Sequence, residues 1–282
     1  MSHLESLNGN GFVIVRDAVA PALCDEINDR IDNFKRRNKK PVAVNQDTHG
    51  RLSRVVNLHV AVDAMTRLLT DNRAIGVCDQ FLEAPASLYT TIYYERGSEQ
   101  TLHRDTPMFA TTPAEKYLGV WTALDEVAAE NGPLMVVPGS HKLPPIDVEA
   151  MRRSVFGHGP IDPLSPIGWD TYQAAVQAQC SEHSLAAEPV YVSKGDVIVW
   201  HPQLFHGGAP HLSARTRRSV VMHVTPKAIP VGHMDVFFDP ASNTSTKAGW
   251  GYYRRESRYI AKRRSVDFGH AFNVSSWRLR KA

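Results

Sequence analysis

Two short stretches hold the residues best suited to chemistry. They are Leu102-His103-Arg104-Asp105-Thr106 and, about a hundred residues on, Phe205-His206-Gly207-Gly208. His103 and Asp105 stand two apart, so in an extended strand both side chains leave the same face. With His206 they make two imidazoles and one carboxylate, the set that binds non-haem Fe(II). Such a set leaves adjacent coordination positions open, as a catalytic metal needs, whereas a closed structural site fills its shell with Cys or His. A His-x-Asp pair alone is weak evidence in a chain with 13 histidines. His201, His211, His223 and His233 are rivals for the third position, and His141, beside Pro138-Gly139, reads as structural or pocket-lining.

The elements that must position these residues are mostly strands. Gly11–Asp17 is a β-branched run, and Pro21 then opens a helix with Leu23, Ile27, Ile31 and Phe34 on one face. Residues 40–60 are irregular, with Arg51, Arg54 and Asn57 able to reach a site, and helical patterns follow at 64–69 and 74–82. Strand patterns then occupy Leu88–Tyr94, Tyr117–Leu124, Pro133–Val137, Glu188–Val192, Asp196–Trp200 and Arg217–Val224, with a hairpin signal at Asn131-Gly132. Many short strands with helices before them argue a mainly β fold with flanking helices, a double sheet of jelly-roll, cupin-like type. One domain over residues 1–282 is expected, with no repeat or low-complexity linker. The span 142–187 interrupts the rhythm and reads as a lid, with a helical pattern at Trp169–Cys180 and a flexible entry at Gly157-His158-Gly159-Pro160.

Composition excludes several classes. Charge is nearly balanced, 32 basic residues against 29 acidic, and 43% of the chain is hydrophobic. No stretch approaches the ~20 apolar residues of a membrane span. The first residues lack the basic-then-apolar pattern of a signal peptide, and Cys24, Cys78 and Cys180 lack metal-ligand spacing. A cytoplasmic protein is expected, with no membrane partner. From Trp250 to Ala282 there are nine lysines and arginines against two acids, interleaved with Trp250, Tyr252, Tyr253, Tyr259, Phe268, Phe272 and Trp277. This tail suits packing on the sheet or on the second subunit of a homodimer; gripping an anionic substrate is a further reading, and nucleic acid is not expected.

His103-x-Asp105, Trp121, the run Glu130-Asn-Gly-Pro-Leu-Met-Val-Val-Pro-Gly-Ser-His-Lys142, Gly195-Asp-Val, His206 and Arg217 occur in an order that resembles the phytanoyl-CoA dioxygenase family. The resemblance covers roughly residues 11–225 and is most distinctive over Asn131–Lys142. It implies a double-stranded β-helix and a dioxygenase that uses Fe(II), 2-oxoglutarate and O2. His103, Asp105 and His206 become the catalytic metal ligands. Arg217 stands eleven residues after His206, the family's usual step to the arginine that holds 2-oxoglutarate. A guanidinium offers that far carboxylate a planar fork that lysine lacks. Ser219, two along the same strand, can add a hydrogen bond. Trp121, eighteen residues after His103, takes the place of a residue beside the co-substrate, with Thr122 next to it. Arg104 departs from the commonest pattern, which has glutamine there, and strand alternation turns it away from the metal.

The expected reaction is hydroxylation of an unactivated C–H bond of a small polar or anionic metabolite, with release of succinate and CO2. Arg51, Arg54 and Gln100 are candidate substrate contacts. A catalytically silent jelly roll that only binds a ligand, and an oxygenase acting on nucleic acid, are the alternatives. Zinc hydrolysis gives Arg217 and Trp121 no purpose. Halogenation calls for a small residue in place of the carboxylate, and Asp105 is present.

Overall fold

The β-branched and aromatic runs become strands because both of their faces find apolar partners. In chain order the strands are β1 (Phe12–Val15), β2 (Val55–Val56), β3 (Ala86–Tyr94), β4 (Ala110–Thr111), β5 (Leu118–Ala123), β6 (Leu134–Val136), β7 (Glu188–Val190), β8 (Val197–Trp200), β9 (His206–Gly208), β10 (Ser219–Pro226) and β11 (Val231–Gly232). The tail adds β12 (Tyr252–Arg255), β13 (Arg258–Ala261), β14 (Ser265–Asp267) and β15 (Asn273–Ser275). Helices are α1 (His3–Asn10), α2 (Pro21–Arg37), α3 (Lys39–Ala43), α4 (Ile75–Leu82), α5 (Val148–Phe156), α6 (Pro166–Glu182) and α7 (Met234–Phe238). The computed structural model describes residues 1–242, 246, 250–269 and 273–282. Phe272 of the tail lies outside the described residues.

The large sheet runs β1-β8-β5-β10-β3-β2-β14-β15, with β13 pairing to β3 and β12 to β13. A three-stranded sheet, β7-β6-β9, faces it. Trp121, Ile198 and Val221 of the large sheet share one apolar cluster with Leu134, Val136 and Val190 of the small one. This is the jelly roll. The outer face of the large sheet, through Leu118, Val120, Val220 and Met222, packs against α2 and α4. Pro21 suits the first turn of α2 and Lys35-Arg36-Arg37 its C-terminal dipole. Leu23, Ile27, Ile31 and Phe34 fall at helical spacing on one side of it and are buried. Each such burial contributes roughly 1.5–3 kcal/mol, and Phe34→Ala would cost about 3–5 kcal/mol.

Several expectations are corrected. Asn131-Gly132 does not close a hairpin: β5 pairs β8 and β10, whereas β6 pairs β7 and β9. The turn instead carries the chain from one sheet to the other, and Gly132 adopts φ 73 with its backbone against Gly97. The pattern at 64–69 forms a 3-10 helix, Asp63–Leu69. Helix α1 went unread in the sequence although Ser2 and Glu5 form a capping box. The span 142–187 holds α5 as well as α6. The tail, by contrast, packs on the sheet as its composition suggested: Ile260 of β13 lies parallel beside Leu88, and Asp267 of β14 pairs with Val56. Among the described residues no helix is long and apolar enough to cross a membrane.

Candidate metal centre and co-substrate cavity

His103 and Asp105 converge, but not as an extended strand. His103 makes a lone bridge to His206, each N–H donating to the other's carbonyl at 2.7 and 2.9 Å. Asp105 already has helical φ −70 and ψ −20, because Pro107 opens a 3-10 turn over Thr106–Met108. The carboxylate therefore reaches the histidines from a turn, with Oδ1 3.5 Å from His103 Nε2 and Oδ2 3.6 Å from His206 Nε2. One ligand atom from each residue lies within 4.8 Å of the others. The Nδ1 atoms are engaged behind: His103 Nδ1–H donates to Thr101 O at 2.8 Å and His206 Nδ1–H to Leu204 O at 3.0 Å. Those bonds select the tautomer that leaves both Nε2 lone pairs free for a metal.

The ionisation states suit the same purpose. Burial alone would raise Asp105, yet the adjoining His206 and His103 imidazoles and a hydrogen bond from His223 hold it well below the usual carboxylate range. Burial pushes His206 down to about 4, against the pull of Asp105. At neutral pH the donors are thus an anion and a neutral imidazole, with His103 beside them. Two nitrogens and a carboxylate oxygen, with one side open to a cavity, fit a divalent iron.

Other residues hold this set in place. Trp200 Nε1–H donates to Asp105 Oδ2 at 3.3 Å, and His223 Nε2 lies 3.2 Å from the same oxygen. A Cβ on Gly119 would overlap the Trp200 indole, so only glycine lets that ring reach Asp105. His223 stacks on Phe109 at 3.9 Å between ring centroids. From α6, Gln173 pairs with the backbone of Arg104 as a strand would: Arg104 N–H donates to its Oε1 at 2.8 Å and its Nε2 donates to Arg104 O at 2.9 Å. Arg104 itself turns away and donates to Ser140 O at 2.5 Å. Sequence reasoning missed Trp200, Gly119 and Gln173, whose roles depend on tertiary contact alone. The other histidines disperse. His201 meets Glu115 at 3.7 Å, His211 meets Arg51 at 2.9 Å, and His141 meets Asn8 O at 3.0 Å. His233 lines the cavity.

That cavity, of about 420 Å³, is lined by the three candidate ligands and by Trp121, Arg217, Trp169, Arg54 and Gln100, among others. Arg217 is buried, its Nη1–H donating to Gly132 O at 2.9 Å and Nη2–H to Arg96 O at 3.2 Å, with Nε unpartnered. Its guanidinium lies 5.2 Å from the Trp121 ring centroid. Among the described residues no carboxylate pairs with it. Burial lowers its pKa to about 10, so it stays a cation at neutral pH. A buried cation without a counter-ion is costly, and an anionic ligand removes that cost. Ser219 shares the Arg217 face of β10 and has a buried Oγ without a partner, although it does not line the cavity. Thr122 is a correction: alternation along β5 points it away from Trp121, against Val197 and Val220 of the outer core. Arg51 is another, since it is spent on Asp47, His211 and the carbonyls of Ser213 and Arg215.

Comparison with known proteins gives this site a family. A family model described as phytanoyl-CoA dioxygenase (PhyH) matches residues 7–219. The chain belongs to that family. Among curated relatives of this PhyH-family protein, the peroxisomal phytanoyl-CoA dioxygenase of Bos taurus is 22% identical over 237 residues, 76% of this chain and 65% of that protein. A probable alpha-ketoglutarate-dependent hypophosphite dioxygenase of Stutzerimonas stutzeri is 26% identical over 63% of this chain and 58% of its own length. The chain thus spans less than two thirds of both relatives. Among solved structures, the epimerase SnoN in complex with Fe3+, alpha ketoglutarate and nogalamycin RO superposes with a TM-score of 0.59 at 18% identity, over 93% of this chain and 97% of that one. EctD from S. alaskensis with 2-oxoglutarate and 5-hydroxyectoine gives a TM-score of 0.60 at 16% identity, over 81% and 76%. These likenesses establish the jelly-roll fold.

Proposed function

We propose that this protein is an Fe(II)- and 2-oxoglutarate-dependent dioxygenase that hydroxylates an unactivated C–H bond of a small polar metabolite, with succinate and CO2 as co-products. One observation carries the reading. A single cavity holds an open set of two histidines and a carboxylate together with a buried arginine that has no counter-ion. His103, Asp105 and His206 would hold the iron. Arg217 would grip the far carboxylate of 2-oxoglutarate, with Trp121 against its guanidinium. Iron, 2-oxoglutarate and O2 together supply the oxidising power when bound.

The chain's own residues do the rest. Trp200 and His223 keep Asp105 ionised and aimed. Trp169, whose ring centroid lies 5.7 Å from that of His103, and Phe109 keep bulk water from the metal side. Arg54, Asn57 and Gln100 present polar groups to a substrate. Family membership and the name of the Stutzerimonas stutzeri relative support the same reading.

The test is anaerobic loading with Fe(II), 2-oxoglutarate and a metabolite extract, followed by O2 and identification of what is consumed. One iron per chain and substrate-dependent succinate are expected. Asp105→Ala should abolish both while circular dichroism stays unchanged. A metal bound instead at His201 or His223 would overturn the assignment.

A further inference from the structure

The cavity has two ends, and Arg217 stands at only one of them. Along β3 the side chains facing it are Tyr94, Ile92 and Thr90, opposite Ser219, Val221 and His223 of β10. Four strand steps at roughly 3.3 Å put Thr90 about 13 Å from Tyr94. Arg217 belongs to the Tyr94 end, where its N–H donates to Glu95 O at 2.9 Å. At the other end stands Arg263, contributed by the tail between β13 and β14. Its Nε–H and Nη2–H both donate to Tyr89 O, at 3.1 and 2.8 Å.

The guanidinium of Arg263 is held between two rings, 3.9 Å from the Trp250 centroid and 4.3 Å from that of Tyr89. Those rings touch edge to face at 5.0 Å, and all three residues line the cavity. Stacking of this kind fixes a planar cation and shields it from water. Of its five N–H groups two serve one carbonyl, and Nη1 makes no hydrogen bond to a carboxylate or carbonyl among the described residues. Two other tail arginines are neutralised: Arg255 meets Asp63 at 2.6 Å and Arg258 meets Asp79 at 2.7 Å. Among the described residues Arg263 has no such partner, and neither does Arg54, which lines the same cavity. Among the described residues the one carboxylate on the lining apart from Asp105 is Asp267, whose Oδ1 accepts the Gly269 N–H at 2.8 Å. A merely structural staple needs only the edge that faces Tyr89 O. The remaining edge carries N–H donors of the kind that bind an anion.

We propose that Arg263, clamped by Tyr89 and Trp250, binds the carboxylate or phosphate of an anionic substrate at the end of the cavity opposite Arg217. Ile92, Phe109, Trp169 and Val221 between the two ends suit an apolar body on that substrate. The substrate role rests on the oxygenase reading; the anion site does not.

The experiment uses the whole chain with Mn(II) in place of iron and saturating 2-oxoglutarate, so that Arg217 is occupied. Phenylacetate, phenyl phosphate and neutral phenylacetamide are titrated by calorimetry. At least one anion should bind roughly tenfold or more tighter than the amide, the worth of one charge-assisted contact. Arg263→Gln should bring the three to parity with 2-oxoglutarate affinity unchanged, and Arg263→Lys should keep part of the preference. If the glutamine variant does not fold, the lysine variant decides, by a preference lowered from the wild-type value. Equal binding of all three probes by the wild type, or an undiminished preference in a folded variant, overturns the proposal. Failure of the wild type to bind 2-oxoglutarate in the same titrations would instead sink the oxygenase reading, and the anion preference would then be read without it.

Discussion

Asp105 must stay ionised in a place that excludes water, and its neighbours are arranged for that. Trp200 and His223 donate toward Oδ2 while the candidate metal side stays open. Arg217 poses the mirror problem, a cation buried among carbonyls and an indole. Arg217→Lys replaces a two-pronged contact by a point charge, so the 2-oxoglutarate concentration needed should rise; Arg217→Ala should cost more, roughly 2–5 kcal/mol of binding. Calorimetric titration with 2-oxoglutarate checks both, and an unchanged affinity in the alanine variant would hand the role to another base such as Arg54. At the residue scale much was legible. The steps from His103 to Asp105 and from His206 to Arg217 are covalent spacings, and they survive whatever the backbone does between them. Thr122 was misassigned because proximity along a strand does not settle which face a side chain takes. Gly119 was unreadable because its reason is the Trp200 ring on another strand.

At the scale of elements, the span 142–187 divides into an anchored half and a loose half. Helix α6 is tied to the metal-bearing segment by the two Gln173 bonds to Arg104, and Tyr172, Val176 and Cys180 join a buried cluster with Phe205 and Phe238. Helix α5 has no buried residue and leans on α7 through Phe156 against Phe238 and through Arg152 with Asp239 at 3.6 Å. A lid that swings as one piece would tear the Gln173 bonds, so a closing motion would have to be confined to α5 and the Gly157–Pro160 turn. With Mn(II) and 2-oxoglutarate present, adding the identified substrate should slow amide exchange over 148–165 and leave 170–180 unchanged. Equal protection of 148–165 in both states would make this span a rigid wall. Neither α5 nor the four tail strands could be read from the sequence. Glycine and proline crowd around α5, and Tyr252–Arg255 places charge where an apolar alternation would have marked a strand. Both elements exist through partners, β13 beside β3 above all.

The whole molecule stores a liability to acid in histidines kept neutral by its packing. His59, in the 3-10 turn under β3, bonds Thr91 Oγ1 at 2.9 Å; burial pushes its pKa down to about 3, helped by Arg263 and opposed by Asp63. His201, just past β8 beside His141 and Glu115, is likewise pushed to about 3, by burial first and then by His141 and Arg104. In the unfolded chain both would titrate near 6.5. Above that pH neither state takes up the protons, and the neutral packing is fully favourable. As pH falls through 6.5 the unfolded state binds protons that the folded state refuses, so stability drops by about 1.4 kcal/mol per pH unit for each histidine. The drop continues until pH approaches about 3, where the folded state takes them too. Denaturant midpoints measured from pH 7.5 to 4 should therefore fall progressively below 6.5. The double variant His59→Gln, His201→Gln should flatten that limb, because glutamine keeps a hydrogen-bonding side chain and carries no titration. An acid limb equally steep in the variant would assign the proton uptake to other groups, with His206 in the metal-free site first among them.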